Sequence, residues 1–161
     1  MMTAFFIKFI ADYLVVLIAL IGAGCLLFDV RSDRYQVYAR VGMMGLTALL
    51  LAKVTTLVFH PDEVRPFISS NTQPLAAYLN NPGFPSDHVL FVVVITAAVW
   101  VATKRRSVSA LLLTLSVLVA VGRVVALVHT PLDVTGGAVI ASVAVVLWYP
   151  RALWMGKNKL E

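Results

Sequence analysis

VSALLLTLSVLVAVGRVVALVHTPLD, residues 108–133, carries one charge, Arg123, through its first 21 positions and then presents His129 and Asp133. A run of about 20 apolar residues is the length of a membrane-spanning helix. Lipid penalises charge, so an arginine kept at the end of such a helix points to a function. His129 follows Arg123 by six positions, and Asp133 follows His129 by four. Thr130-Pro131-Leu132-Asp133 reads as a helix start, with threonine as the cap, proline in the first turn and an acid three residues after the cap. His129 then precedes the helix, within reach of the Asp133 carboxylate. That acceptor on one ring nitrogen leaves the other free to attack, as in a hydrolase triad.

The rest of the chain has the same character. It is 60% hydrophobic and 13% charged, against roughly 25% charged in soluble domains. Five stretches have, or nearly have, spanning length: 9–28, 41–59, 88–103, 108–128 and 134–150. The expected fold is all-α, a polytopic membrane helix bundle of about five transmembrane helices, forming one domain over residues 1–161. Only the segment 60–85 is more than a short loop. Cys25 is the single cysteine, so no internal disulfide forms.

A net charge of +5 raises nucleic-acid binding, but the placement of the charges argues against it. Arg31, Arg34 and Arg40 lie between the first two apolar stretches, Lys104, Arg105 and Arg106 between the third and fourth, and Arg151, Lys157 and Lys159 after the fifth. Alternating spans put all nine on one side. Lys and Arg bias marks the cytoplasmic side, so the C-terminus is expected in the cytoplasm and the polar clusters outside it, in the cell membrane. Lys8 ahead of an apolar run, and Gly22-Ala23-Gly24-Cys25, loosely resemble a signal sequence. Asp12 and the length of the run favour an anchor instead, with Lys8 and Asp12 paired on one helix face. Gly42, Gly45 and Ala48, and Gly136, Gly137, Ala141 and Ala144, are expected to let helices approach closely. Trp148, Tyr149 and Trp154 read as an interfacial aromatic belt.

Two more polar clusters join the first. Phe84-Pro85-Ser86-Asp87-His88 precedes an apolar run, so Ser86 is expected to cap a helix whose first-turn N–H groups favour an anion. Asp87 and His88 lie in that turn. Lys53 sits inside the second apolar stretch, where a lone charge costs about 2.5–3.5 kcal/mol at mid-membrane; it can snorkel outward or pair with a phosphate. Arg65-Pro66-Phe67 lies in the loop beyond, and arginine can hold two phosphate oxygens at once. His60-Pro61 suits a helix end or loop. The carboxylates are too few and scattered for a metal cage, so no metal or cofactor is expected.

Together the clusters resemble the type 2 phosphatidic acid phosphatase superfamily. Its signature is lysine, six residues, Arg-Pro; then Pro-Ser-Gly-His; then Ser-Arg, five residues, His, three residues, Asp. The order matches, the third spacing matches Arg123, His129 and Asp133, and the motifs span Lys53 to Asp133. Pro85-Ser86-Asp87-His88 with Arg65-Pro66-Phe67 is most similar to the bacterial undecaprenyl-diphosphatase branch. Asp87 stands where the signature has glycine, and Gly122 where it has serine. Eleven residues separate Lys53 from Arg65, so His60-Pro61 falls in the Arg-Pro place. Either Arg65 reaches back or His60 shares its position; Arg65 is the expectation.

The resemblance implies a lipid phosphatase. His129 is the nucleophile forming a phosphohistidine, Asp133 its orienting partner, and His88 the acid and then the base. Arg123, Arg65, Lys53, Ser86 and Asp87 make up the phosphate site. The implied substrate is undecaprenyl diphosphate, with phosphatidate or phosphatidylglycerol phosphate as the alternative lipid. A non-catalytic lipid-phosphate binder or transporter is the alternative of another class, though binding alone needs no histidines. The partners are an isoprenoid or glycerolipid phosphate and the membrane itself, not nucleic acid.

Overall fold

An apolar segment in lipid must satisfy its backbone hydrogen bonds internally, and the α-helix does so. In a computed structural model of the chain, which describes residues 2–30, 33–59, 64–80, 82–103 and 105–157, the apolar runs are helices and no strand is present among those residues. Helix α1 covers Met2–Asp29 and contains one π-helical turn, Phe9–Tyr13. It is followed by α2 (Arg34–Val58), the short α3 (Pro66–Ser69), α4 (Asp87–Thr103), α5 (Arg106–Val125) and α6 (Pro131–Lys157). Arg31, His60, Pro61, Lys104 and Lys159 lie outside the described residues, as do the side chains of Tyr149, Arg151, Trp154 and Lys157.

Among the described residues four helices are long and apolar enough to cross a membrane: α1, α2, α5 and the Pro131–Trp148 part of α6. Helix α4 has 17 residues, about 25 Å at 1.5 Å per residue, the lower limit for a span. It is also the hub, packing against α1, α2, α5 and α6. Met44, Ala48 and Ala52 of α2 meet Leu90 and Val94 of α4 and Ala141 and Ala144 of α6. On its other side Val92 and Val99 meet Leu14 and Ile18 of α1 and Leu112 and Val119 of α5. A Thr96–Ser116 hydroxyl pair at 3.1 Å adds a buried polar tie between α4 and α5. Helices α1 and α2, neighbours in sequence, straddle α4 and are tied near the turn between them, where the Tyr38 hydroxyl donates to the Leu26 carbonyl at 3.0 Å.

Small residues act where this packing needs them. A Cβ on Gly22 would collide with Ile95, and one on Gly136 with the Phe84 ring. One on Gly137 would lie 2.6 Å from the Ser86 carbonyl oxygen. Gly42 and Gly45 are different: a Cβ added at either would meet no neighbouring element within 4 Å. They were expected to seat a helix, but Ala48 and Ala52 make that contact while the glycines face the side of α2 left open by α1. Trp148 is half-buried and donates its indole N–H to Thr47 Oγ1 at 3.0 Å, tying α6 to α2.

The helices alternate, so the clusters share one end of the bundle: the start of α1, the end of α2, the start of α4, the end of α5 and the start of α6. The other end is basic, with Arg34, Arg40, Arg105 and Arg106, and is fastened by an Arg105–Asp29 ion pair at 2.7 Å. Gly137→Ala should destabilise the protein by about 1–3 kcal/mol, because backbone cannot retreat from the added methyl. Gly42→Ala should be neutral or slightly stabilising, since alanine is the better helix former. Thermal unfolding of the two variants in detergent measures the difference.

Candidate active site

Helix α5 stops at Val125, short of the expected 128, because Leu127 takes a left-handed backbone (φ 62°). Non-glycine residues adopt that region at a cost, and here neighbouring bonds hold it. The Ala126 carbonyl accepts from Leu75 N–H (3.1 Å), the Leu127 carbonyl from Phe67 N–H (3.0 Å), and the Val128 carbonyl from Arg65 Nη1 (2.6 Å). Three consecutive carbonyls are thus bound by the loop after α2. His129 N–H turns back to the Arg123 carbonyl at 3.4 Å.

The start of α6 forms as its sequence suggests. Asp133 N–H donates to Thr130 Oγ1 (3.2 Å), and Asp133 Oδ2 accepts Thr130 N–H (2.8 Å), a reciprocal capping box. The same Oδ2 lies 3.3 Å from His129 Nδ1. With Asp133 ionised, Nδ1 carries the proton and Nε2 the lone pair. His129 and Asp133 are each 5% exposed.

The second cluster is fixed to this one through the backbone. Ser86 N–H donates to the Asp133 carbonyl at 2.9 Å, in the space that Gly137 leaves. The Ser86 carbonyl accepts the first helical bond of α4, from Leu90 N–H (3.0 Å). Its hydroxyl was expected to cap α4, but among the described residues Ser86 Oγ is buried without a hydrogen-bond partner. Asp87 points outward and is exposed, while His88 is half-buried. His88 at the start of α4 and His129 just before α6 therefore stand at the same end of the bundle, where the Ser86–Asp133 backbone bond joins the two helix starts.

Arg123 is 1% exposed. Its Nη1 donates to Asp12 Oδ1 and to the Ala77 carbonyl, both at 2.9 Å, and its Nε is buried without a partner among the described residues. Asp12 was expected to pair with Lys8 along α1. Instead it spans 111 residues of sequence, because the π-helical turn carries it toward α5. The sequence signal was present: an acid inside an apolar run demands a partner.

Arg65 donates Nη1 to Val128, Nη2 to the Leu79 carbonyl at 3.0 Å, and lies over the Tyr78 ring at 5.5 Å. Burial pulls its pKa down, and Asp133, Tyr78 and Asp87 oppose that shift. Lys53 is exposed on α2, and no described hydrogen bond or ion pair joins it to the cluster. A cavity of about 520 Å³ opens between α1 and α2. Val15, Gly45, Leu49 and Phe91 line it, and Asp87 and His88 stand at one end.

The profile of the PAP2 superfamily matches residues 37–156. The chain belongs to the PAP2 superfamily. The PAP2 match takes in His88, His129, Asp133, Arg65, Ser86 and Arg123, and leaves out all of α1. A curated relative, the undecaprenyl-diphosphatase BcrC of Bacillus subtilis (strain 168), is 30% identical over 142 residues, covering 88% of this chain and 70% of the relative. No solved structure matches. As a PAP2 protein with several apolar helices, the chain is a multi-pass membrane phosphatase of the hydrolase class.

Arg65 serves this site by holding loops as well as by its charge. Arg65→Lys should lower stability by about 2 kcal/mol, since an ammonium cannot reproduce two guanidinium–carbonyl bonds. Faster proteolysis of the 64–80 loop in the folded protein would accompany the loss, and an unchanged cleavage rate would contradict the clamp.

Proposed function

We propose that the protein hydrolyses undecaprenyl diphosphate to undecaprenyl phosphate and inorganic phosphate at the extracytoplasmic face, returning the carrier lipid for cell-wall synthesis. The observation that carries a phosphate ester or anhydride substrate is that two buried groups at the histidine end of the bundle, Ser86 Oγ and Arg123 Nε, have no partner among the described residues; Arg40 Nη2 and Ser109 Oγ, unpaired in the same sense, lie toward the other end. Leaving a buried donor unpaired costs about 1–3 kcal/mol, more when it is charged. Phosphoryl oxygens would satisfy both, in front of an imidazole already oriented for attack.

The steps follow from the side chains. His129 Nε2 attacks the terminal phosphorus, and the bond to the bridging oxygen breaks. Nδ1–H, held by Asp133, lets the ring carry the positive charge that develops. His88 gives its proton to the departing lipid phosphate, then takes one from the water that cleaves the phosphohistidine. Arg123, Ser86 Oγ and the first N–H groups of α4 hold the equatorial oxygens. Arg65 adds positive potential while its Nη groups keep the loops in place. With these cations the reaction needs no metal.

The cavity between α1 and α2 supports a lipid substrate. It is apolar along its length and ends at His88, so a tail can lie between helices while the head group enters the site. The name of the Bacillus subtilis relative favours a polyprenyl diphosphate over a glycerolipid phosphate. The basic opposite end favours a site outside the cytoplasm and a cytoplasmic C-terminus.

Phosphate release in detergent, from polyprenyl diphosphates and glycerolipid phosphates with chelator present, tests the reading. Undecaprenyl diphosphate should be preferred and the chelator should have no effect. His129→Ala should abolish turnover, by at least about 10⁴-fold, while lipid still binds. Gly45→Phe should fill the cavity and suppress hydrolysis of the long-chain substrate far more than of a short water-soluble diphosphate. Normal turnover by His129→Ala would remove the phosphohistidine.

A further inference from the structure

Asp12 lies in helix α1, outside the residues that match the PAP2 superfamily. Yet it holds the most deeply buried cation of the site. Asp12 Oδ1 accepts from Arg123 Nη1 at 2.9 Å, and Oδ2 accepts from Ala77 N–H at 2.9 Å. Arg123 Nη1 closes the triangle on the Ala77 carbonyl at 2.9 Å. The side chains of Arg123 and Asp12 are 2% and 13% exposed.

Two backbone features build this contact. The π-helical turn Phe9–Tyr13 adds a residue to the helical repeat and swings Asp12 inward while Ala11 is fully buried. Such single π turns recur at functional sites. Gly122 then admits the turn: a Cβ there would lie 2.7 Å from Ile10 Cγ2 and 3.2 Å from Ala11 N. Gly122, Arg123 and the turn of α1 thus form one fitted unit.

We propose that Asp12 is a positioning residue for phosphoryl transfer. By taking Nη1, it fixes the guanidinium so that the unpaired Nε edge faces the phosphoryl group. By taking Ala77 N–H with its other oxygen, it also anchors the loop that carries the second contact to Nη1. A carboxylate is suited to this because two oxygens accept two donors, and because its charge compensates Arg123 before substrate arrives. Asparagine offers one acceptor and places an N–H against the second donor.

The inference rests on the phosphatase reading above, and one set of measurements separates the two. In the purified full chain, Asp12→Ala should lower kcat/KM for a polyprenyl diphosphate by about 100-fold, the scale of a displaced catalytic contact. Asp12→Asn, nearly isosteric, should lower it by about tenfold and keeps the test open where the alanine variant fails to fold. In an Arg123→Lys background, Asp12→Asn should change kcat/KM by less than about threefold, because the group it orients has been replaced. Equal kcat/KM for Asp12→Asn and wild type, or losses that multiply in the double variant, would overturn the proposal. A wild-type chain that releases no phosphate would sink the phosphatase reading instead. Inorganic phosphate alone then decides: the concentration giving half-maximal thermal protection should rise about tenfold in Asp12→Asn, and an unchanged concentration would refute the positioning role.

Discussion

One backbone hydrogen bond, from Ser86 N–H to the Asp133 carbonyl, sets the register of the site. It joins the starts of α4 and α6, the two helices whose first turns carry or follow the histidines. The bond needs backbone against backbone, and Gly137 is the residue that permits it. Once the two helix starts meet there, His88 and His129 share one end of the bundle, and the Ser86 hydroxyl is turned into the interior instead of onto its own helix. The reciprocal cap between Thr130 and Asp133 then holds the carboxylate in reach of both Thr130 N–H and His129 Nδ1. The bonds that start the helix therefore also fix the histidine–aspartate pair.

The two arginines each tie distant segments together. Arg123 pairs with Asp12 of α1, while the described Nη bonds of Arg65 go to the Val128 and Leu79 carbonyls. A buried ion pair repays its desolvation only when geometry is good and the remaining polar atoms are satisfied. At Arg123 the Nε has no partner among the described residues, so part of that desolvation is left unrepaid. The strained Leu127 belongs to the same pattern. Its left-handed turn points three carbonyls at the preceding loop, and their bonds to Arg65, Phe67 and Leu75 hold the conformation.

Much of this was legible in the chain. Apolar length gave five helices and their alternation, and the spacing of Arg123, His129 and Asp133 gave the cap and the histidine–aspartate pair. The α6 glycines read correctly because a small residue facing a loop packs as the composition suggests. Gly42 and Gly45 did not, since sequence cannot say which face of a helix finds a neighbour. Asp12 was assigned the nearest cation, Lys8, because short-range pairing is all that helical spacing reveals. A π-helical turn changes which face a side chain occupies and leaves little trace in composition. The Ser86 hydroxyl was assigned to a cap because serine there usually caps. Lys53 met the motif in order but not in spacing, and its exposed position on α2 matches the irregular spacing.

Helices α1 and α2 are tied to each other near the turn between them by the Tyr38–Leu26 hydrogen bond, while α1 docks on α4 and α5 and α2 on α4 and α6. As they emerge from the ribosome they are a hairpin hinged at one end. The later spans supply the surfaces on which both arms come to rest.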